Sequence, residues 1–377
     1  MTDTSFVRVE GVRVEGVRVE GVRVAGVRVA GARLAGIMLI AGLLLLPDPI
    51  RAQPAPAENA PPAYPMPKVP NPYTTPQPAA GMDSQTGIPG RTLGLDAICG
   101  SCQLEKFTDE CVGRLEGPNF DRDGNLWMVS PATSSIYRVT PDGHCQVVAQ
   151  TPAPNGTRFS RDWRLFGVDH KLGVFWLDTK SLKVTFVTNQ FGNENFHGLD
   201  DLCFDRGGGL YLTDAYGSSV LHPQGQVFYL APDGTVRKLI SGHLAFPNGV
   251  VLSPDEKTLY IDDWGSNRII AVPVVAPGEV NVDNAWVFAY LNGGRGPDSM
   301  TIDAQGNVYA AHYGAGEVVV FDPHGFYYGA IRMPPGAGMV PSNVAFHGGY
   351  LYITEMDQHT VWRVRAKIPG MNQWPNG

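Results

Sequence analysis

The sequence predicts an all-β fold, a six-bladed β-propeller preceded by a signal segment and a Pro-rich linker. The first observation behind this is a strand–turn–strand unit that recurs six times. Asn119-Phe120-Asp121-Arg122-Asp123-Gly124-Asn125-Leu126-Trp127 and Thr301-Ile302-Asp303-Ala304-Gln305-Gly306-Asn307-Val308-Tyr309 share an apolar strand end, a D-x-x-G turn, and a second strand opening on an aliphatic–aromatic pair. Equivalent turns begin at Ser160, Asp205, Ser253 and His347, so the unit repeats at intervals of about 39 to 50 residues, the length of a four-stranded blade. The second is composition: 377 residues carry only 17% charged side chains but 45 Gly and 31 Pro, which suits many short strands and turns. A β-sandwich or a pair of barrels is the alternative, and six in-register copies of one unit argue against it.

The elements follow in chain order. Residues 7–36 repeat a Val-Arg-Val-Glu/Ala-Gly pentad, and residues 37–46 form an apolar run of ten that ends before Pro47-Asp48-Pro49-Ile50-Arg51-Ala52. A basic start, a short apolar stretch and a small residue at the cut describe a secretory signal, and ten residues are too few to cross a bilayer as a helix. Residues 1–52 are therefore read as low-complexity repeat plus signal, cleaved after Ala52. An uncleaved anchor is the alternative and would be the chain's sole contact with a membrane. Export to the periplasm or the medium follows. Pro54, Pro56, Pro61, Pro62, Pro65, Pro67, Pro70, Pro72 and Pro76 mark residues 53–92 as a linker. Residues 93–377 form the propeller, with blade repeats over about 113–366. Cys99, Cys102, Cys111 and Cys145 are an even set, expected as disulfides pinning the segment ahead of blade 1 to that blade, whereas Cys203 reads as a small buried hydrophobe.

Charge narrows the partners. The whole chain is at −7, and residues 1–52 hold seven Arg against five acidic residues, leaving −9 on the rest. No basic surplus exists to neutralise a phosphate backbone, so nucleic acid is not expected.

Aligning the units picks out one position, five residues before each turn, at the start of each innermost strand. It holds Glu116, Asn155, Asp200, Asn248, Asp298 and Ser342. Equivalent positions in a propeller converge at one mouth of the axial channel. Three carboxylates meeting there repel one another, and a divalent cation is the simplest way to hold them. Oxygen donors without His or Cys favour Ca²⁺, with Mg²⁺ or Mn²⁺ as alternatives and Zn²⁺ less favoured. A second position holds Ser130, Asp169, Asp214, Asp263, His312 and Glu355, residues that serve equally as site or as loop chemistry. His197 precedes Asp200 in a Gly/Asn-rich loop.

Glu116-Gly117-Pro118, Phe246-Pro247-Asn248-Gly249 before Ser253-Pro254-Asp255, and Gly296-Pro297-Asp298-Ser299 stand in the order and at the blade positions of a known pattern. Over about residues 113–366 the chain resembles the gluconolactonase / senescence-marker-protein (regucalcin) / luciferin-regenerating-enzyme family. The resemblance implies one divalent cation held by Glu116, Asn248 and Asp298, with Asp298 also beside the attacking water. The Asp298-Ser299 pair is similar to that of drug-responsive bacterial lactonases that carry Ca²⁺ at this place. The chain departs from the pattern at Asp200-Asp201, where many members have Asn-Asp, and in lacking the usual Arg within Phe196-His197-Gly198-Leu199. The expected activity is exported, divalent-metal-dependent opening of a lactone by water, with Asp298 and Asp200 as catalytic groups. Asn155, His197, Asp201, Ser299 and His312 are the candidate substrate contacts. Arylester or phosphotriester hydrolysis at the same site is one alternative. The other is a non-enzymatic secreted propeller whose metal is structural and whose faces bind a partner.

Overall fold

The computed structural model describes residues 8–9, 12–19, 22–28 and 94–371. The apolar run at 37–46, the cut after Ala52 and the linker at 53–92 lie outside the described residues. Two compact units divide the chain at Thr75 and Pro76. In the first, the pentad repeat, expected only as part of a targeting segment, forms a three-stranded antiparallel sheet of Arg8–Val9, Val12–Val19 and Val22–Arg28. Val and Arg in alternation suit a strand whatever the segment's later fate, and Glu10-Gly11 and Glu20-Gly21 stand at the two connections in the sequence.

In the second unit, residues 94–371 build six antiparallel blades. Blade 1 is Glu116–Phe120, Leu126–Ser130, Ser135–Val139 and Cys145–Gln150. Blade 2 is Pro154–Phe159, Leu165–Asp169, Gly173–Leu177 and Val184–Thr188. Blade 3 is Leu199–Phe204, Leu210–Asp214, Gly225–Leu230 and Val236–Leu244. Blade 4 is Pro247–Leu252, Thr258–Asp263, Arg268–Ala276 and Trp286–Tyr290, with Glu279–Val280 added to its third strand. Blade 5 is Gly296–Ile302, Val308–Tyr313, Glu317–Phe321 and Tyr327–Arg332. Blade 6 is Pro341–His347, Tyr350–Glu355 and Thr360–Arg365, and its outer strand comes from the other end of the unit, Leu104–Thr108.

The repeated turn explains itself chemically. Asp121 accepts from the backbone N–H of Asn125 at 2.9 Å and from Trp127 Nε1 at 2.8 Å; Asp303 accepts from Asn307 N at 3.0 Å and from the Tyr309 hydroxyl at 2.9 Å. One carboxylate thus closes the turn and satisfies the polar tip of the buried aromatic that opens the next strand. Gly124 and Gly306 sit at φ of 80° and 85°, where a side chain is strained.

The core is a set of seams between neighbouring blades. Trp127, Val129 and Ile136 of blade 1 pack on Phe159, Leu165 and Phe175 of blade 2, and Val251 and Tyr260 of blade 4 pack on Met300 and Val308 of blade 5. The last seam joins Tyr352 and Val361 of blade 6 to Leu126 and Met128 of blade 1. A disulfide joins Cys111, just past the closing strand, to Cys145 in the outer strand of blade 1; Cys99 pairs locally with Cys102. Cys203 is a buried free thiol.

Candidate functional site

Each innermost strand starts with a break in pairing at or just past the aligned position. In blade 3, Leu199 pairs with Asp214 and Leu202 with Leu212, so Asp200 and Asp201 together face Thr213. Asn248 and Gly249 likewise face Asp262, and Asp298 and Ser299 face Ala311. Blades 2 and 6 break at Asn155 and Ser342, and blade 1 just after Glu116, which still pairs with Val129, at Gly117 and Pro118. Such a bulge bends the strand and re-aims a side chain. Space is tight behind it: a Cβ on Gly249 would lie 2.6 Å from Asp262 Oδ2 and 2.7 Å from Ser299 Cα.

All six ring residues are buried. Asn155 Nδ2 donates to Asp200 Oδ1 at 2.9 Å, Asn248 Nδ2 to Asp298 Oδ1 at 2.5 Å, and Asn343 Nδ2 to Glu116 Oε2 at 3.3 Å. Ser342 Oγ donates to the Leu115 carbonyl at 2.7 Å. Burial, then the charges of Asp298 and Asp200, push the Glu116 carboxyl well above the ordinary carboxylate range. Burial and the Asp200 charge do the same to Asp298, against the opposing pull of Asn248 and Arg114. Buried carboxylates of blades 1, 3 and 5 thus bear on one another's charge.

The donor chemistry fits a hard divalent cation. The ring offers carboxylate and amide oxygens and the Ser342 hydroxyl, with no sulfur or imidazole, and Asp298 Oδ2 is buried with no hydrogen-bond partner among the described residues. No group of three or more His, Cys, Asp or Glu side chains among the described residues is arranged as a metal cage. The amides do not offer their oxygens either, since Asn248 and Asn155 turn their N–H groups to the carboxylates. A half-turn of either amide would present its oxygen instead.

The remaining candidates are spread around the ring. Asp201 is buried beneath it and accepts from Ser299 Oγ at 2.6 Å. Burial raises its carboxyl, with Arg158 and Ser299 opposing. His197 is half-exposed, its Nδ1 lying 4.0 Å from Asp214. His312 is shut off from solvent, Nε2 meeting the Gly293 carbonyl at 3.1 Å and Nδ1 facing Glu317 at 3.6 Å. The acidic members of the second aligned position brace backbone: Asp169 accepts from Ala153 N, Asp214 from His197 N and Gly198 N, Asp263 from Ala245 N, and Glu355 from Val340 N. Each therefore holds the segment leading into a ring residue.

Sequence reading missed several groups. An aromatic arc runs along the same mouth across blades 2 to 5: His170 to Tyr216, 4.4 Å between centroids, Tyr216 to Phe246, 5.9 Å, Phe246 to Trp264, 5.5 Å, and Trp264 to Tyr313, 5.8 Å. Arg114, exposed beside the ring, donates to the Tyr313 hydroxyl at 3.3 Å. Asp262 is fully buried with both oxygens unpartnered among the described residues. Asp262 and Tyr216 lie beside aligned positions, and asking what stands opposite or next to each would have found them.

Residues 115–357 match the family described as SMP-30/Gluconolactonase/LRE-like region. Lactonase drp35 of Staphylococcus aureus (strain MW2) is 33% identical over 235 residues, covering 59% of this chain and 70% of that protein. Among solved structures, a gluconolactonase from Xanthomonas campestris superposes with a TM-score of 0.63 at 24% identity, covering 72% of this chain and 92% of its own. A calcium-binding regucalcin from Agrobacterium tumefaciens gives 0.61 at 21%, covering 71% and 94%.

Proposed function

The chain belongs to the SMP-30/gluconolactonase/LRE-like family, and from that premise we propose that it is an exported, divalent-metal-dependent hydrolase that opens a lactone with water. What supports the reading is that Glu116, Asp200 and Asp298, from blades 1, 3 and 5, are buried, and that Asn248 of blade 4 donates to Asp298. Beyond burial, the charges of Asp298 and Asp200 raise the Glu116 carboxyl and that of Asp200 raises Asp298. Glu116, Asn248 and Asp298 would hold the cation, Ca²⁺ in the first place. When bound, that ion supplies Lewis acidity toward the lactone carbonyl.

The chain's own groups do the rest. Asp200, oriented by Asn155, accepts a proton as water adds to the carbonyl carbon. The acyl C–O bond then breaks, and the same proton passes to the departing ring oxygen, so the product is a hydroxy acid. Burial of the ring keeps bulk water out and strengthens each charge there. Asn155, Asp201 and Ser299 line the site from blades 2, 3 and 5, with His197 and His312 at its margin. The Arg upstream of Asp200 is missing from this chain, so the proposal is a small γ- or δ-lactone without a requirement for a sugar polyol. The signal-like run at 37–46 and the disulfides among Cys99, Cys102, Cys111 and Cys145 support export.

The test is hydrolysis of a lactone panel by purified protein stripped with chelator, before and after adding Ca²⁺. Activity that returns with the metal, and is absent from a folded Asp298→Ala variant, is the expected result. Ca²⁺ that raises the melting temperature while no lactone or ester opens would replace the enzyme by a metal-tied binding propeller.

A further inference from the structure

We propose that His170, held by Tyr216, is a positioning residue that fixes the Asp200 carboxylate for its work on water. This rests on the reading of Asp200 as the proton acceptor. The Tyr216 hydroxyl lies 2.9 Å from His170 Nδ1, and His170 Nε2 faces Asp200 Oδ2 at 3.7 Å. The imidazole is largely buried, its side chain 12% exposed, and Nε2 has no hydrogen-bond partner among the described residues. The three groups come from blade 2, blade 3 and the loop that follows the second strand of blade 3.

The facing carboxylate favours one direction for each bond. Burial and the Asp200 charge raise the Tyr216 phenol, so it keeps its proton. A phenol that donates to Nδ1 leaves the hydrogen of a neutral imidazole on Nε2, where it points at a carboxylate oxygen. The opposite tautomer would aim a lone pair at that oxygen. Asp200 is then held from two sides, Oδ1 by the Asn155 amide and Oδ2 by the imidazole, and each oxygen keeps a lone pair for water. At 3.7 Å the second contact is longer than a hydrogen bond, and catalytic contacts are often this long until substrate is bound. Tyr216 lies flat on the strand entrance because residue 198 is Gly: a Cβ there would sit 2.7 Å from the Tyr216 ring. Nothing in local sequence links His170 to Asp200, since the contact spans 30 positions and belongs to no motif.

Two readouts test this on the full-length protein. The first is ¹⁵N NMR of labelled histidine, with the His170 signals assigned by their loss in His170→Gln. A protonated Nε2 and an unprotonated Nδ1, disturbed in Tyr216→Phe, are expected. A proton on Nδ1 overturns the proposal whatever the activity. The second is kinetic, on whichever lactone the wild type opens. His170→Ala should lose about 10- to 100-fold in kcat with little change in KM, and His170→Gln, whose amide can still donate to Asp200, should recover most of it. Wild-type kcat in His170→Ala overturns the positioning role, as does a loss that tracks a fallen melting temperature and is not rescued by Gln. If the wild type opens no lactone while NMR gives the Nε2–H form, the proposed activity fails and the assigned orientation of Asp200 stands.

Discussion

At the scale of single residues, blade equivalence decides what a buried acid is doing. Thr213 stands opposite the bulge of blade 3, accepting from Asp201 N at 3.0 Å and donating to the Asn248 carbonyl of the next blade at 2.6 Å. Thr354 serves blade 6 in a similar way, bonding Ser342 Oγ at 2.8 Å. Asp262 holds that place in blade 4 with no partner among the described residues. Burial first, then the charges of Asp298, Asp201 and Asp263, push its carboxyl well above the ordinary range. A group whose folded pKa is raised stabilises the native state fully below its unfolded value, and that contribution is lost as pH rises through the folded pKa. Asp262→Thr should therefore leave stability near pH 4 little changed and raise it by about 1–3 kcal/mol at pH 8. Urea midpoints across that range measure the difference. A variant less stable at pH 8 would mean that ionised Asp262 is compensated in the wild type. The ring residues were legible in the sequence because they stand at a fixed distance from a turn motif. Asp262 and His170 adjoin aligned positions, but their roles were not legible there, because what defines them is what they face.

At the scale of elements, the same contrast separates the repeated blade from the strand that closes it. The strand–turn–strand spacing recurs in every blade, with an Asp opening the turn in blades 1, 3 and 5 and Ser or His in the others, so the repeat was visible from letters alone. Leu104–Thr108 carries no turn of that kind, and only its pairing with Thr360–Arg365 reveals its place in blade 6. The Cys111–Cys145 bridge follows directly, holding the chain as it leaves the closing strand and enters blade 1. The expectation of a disulfide tie to blade 1 fits this bond; Cys99–Cys102 instead forms a short local loop beside blades 5 and 6. Cross-linking across 34 positions restricts the unfolded chain, so Cys111→Ser/Cys145→Ala should cost about 2–4 kcal/mol, whereas loss of Cys99–Cys102 should cost less. Thermal unfolding of the two double variants checks the order. Equal losses would mean that the bridge at 111 and 145 does not brace the closure.

For the whole molecule, a propeller has no continuous core through its axis, only seams between blades, and its centre is the place where like charges from opposite blades meet. Glu116, Asn248 and Asp298 belong to blades 1, 4 and 5, so a cation held by them would tie blade 1 to the pair of blades 4 and 5, whose seam lies away from it. Without the ion, the raised pKa values of Glu116 and Asp298 mean that the native ring favours its protonated form. Stability of the stripped protein is then greatest below the unfolded carboxylate values and falls as pH rises through the folded ones. Cation binding requires the ionised form and has the opposite dependence. Saturating Ca²⁺ at about a hundred times its Kd should add about 2.7 kcal/mol near pH 8, and much less near pH 5. Melting temperatures at both pH values, with and without Ca²⁺, measure this, and Asp298→Ala should remove both the Ca²⁺ gain and much of the downward slope. A gain that is equal at the two pH values, or that survives in the variant, would place the ion away from the ring. The metal would then have to be sought elsewhere on the acidic body, and the channel mouth would retain its carboxylates without the role proposed for them.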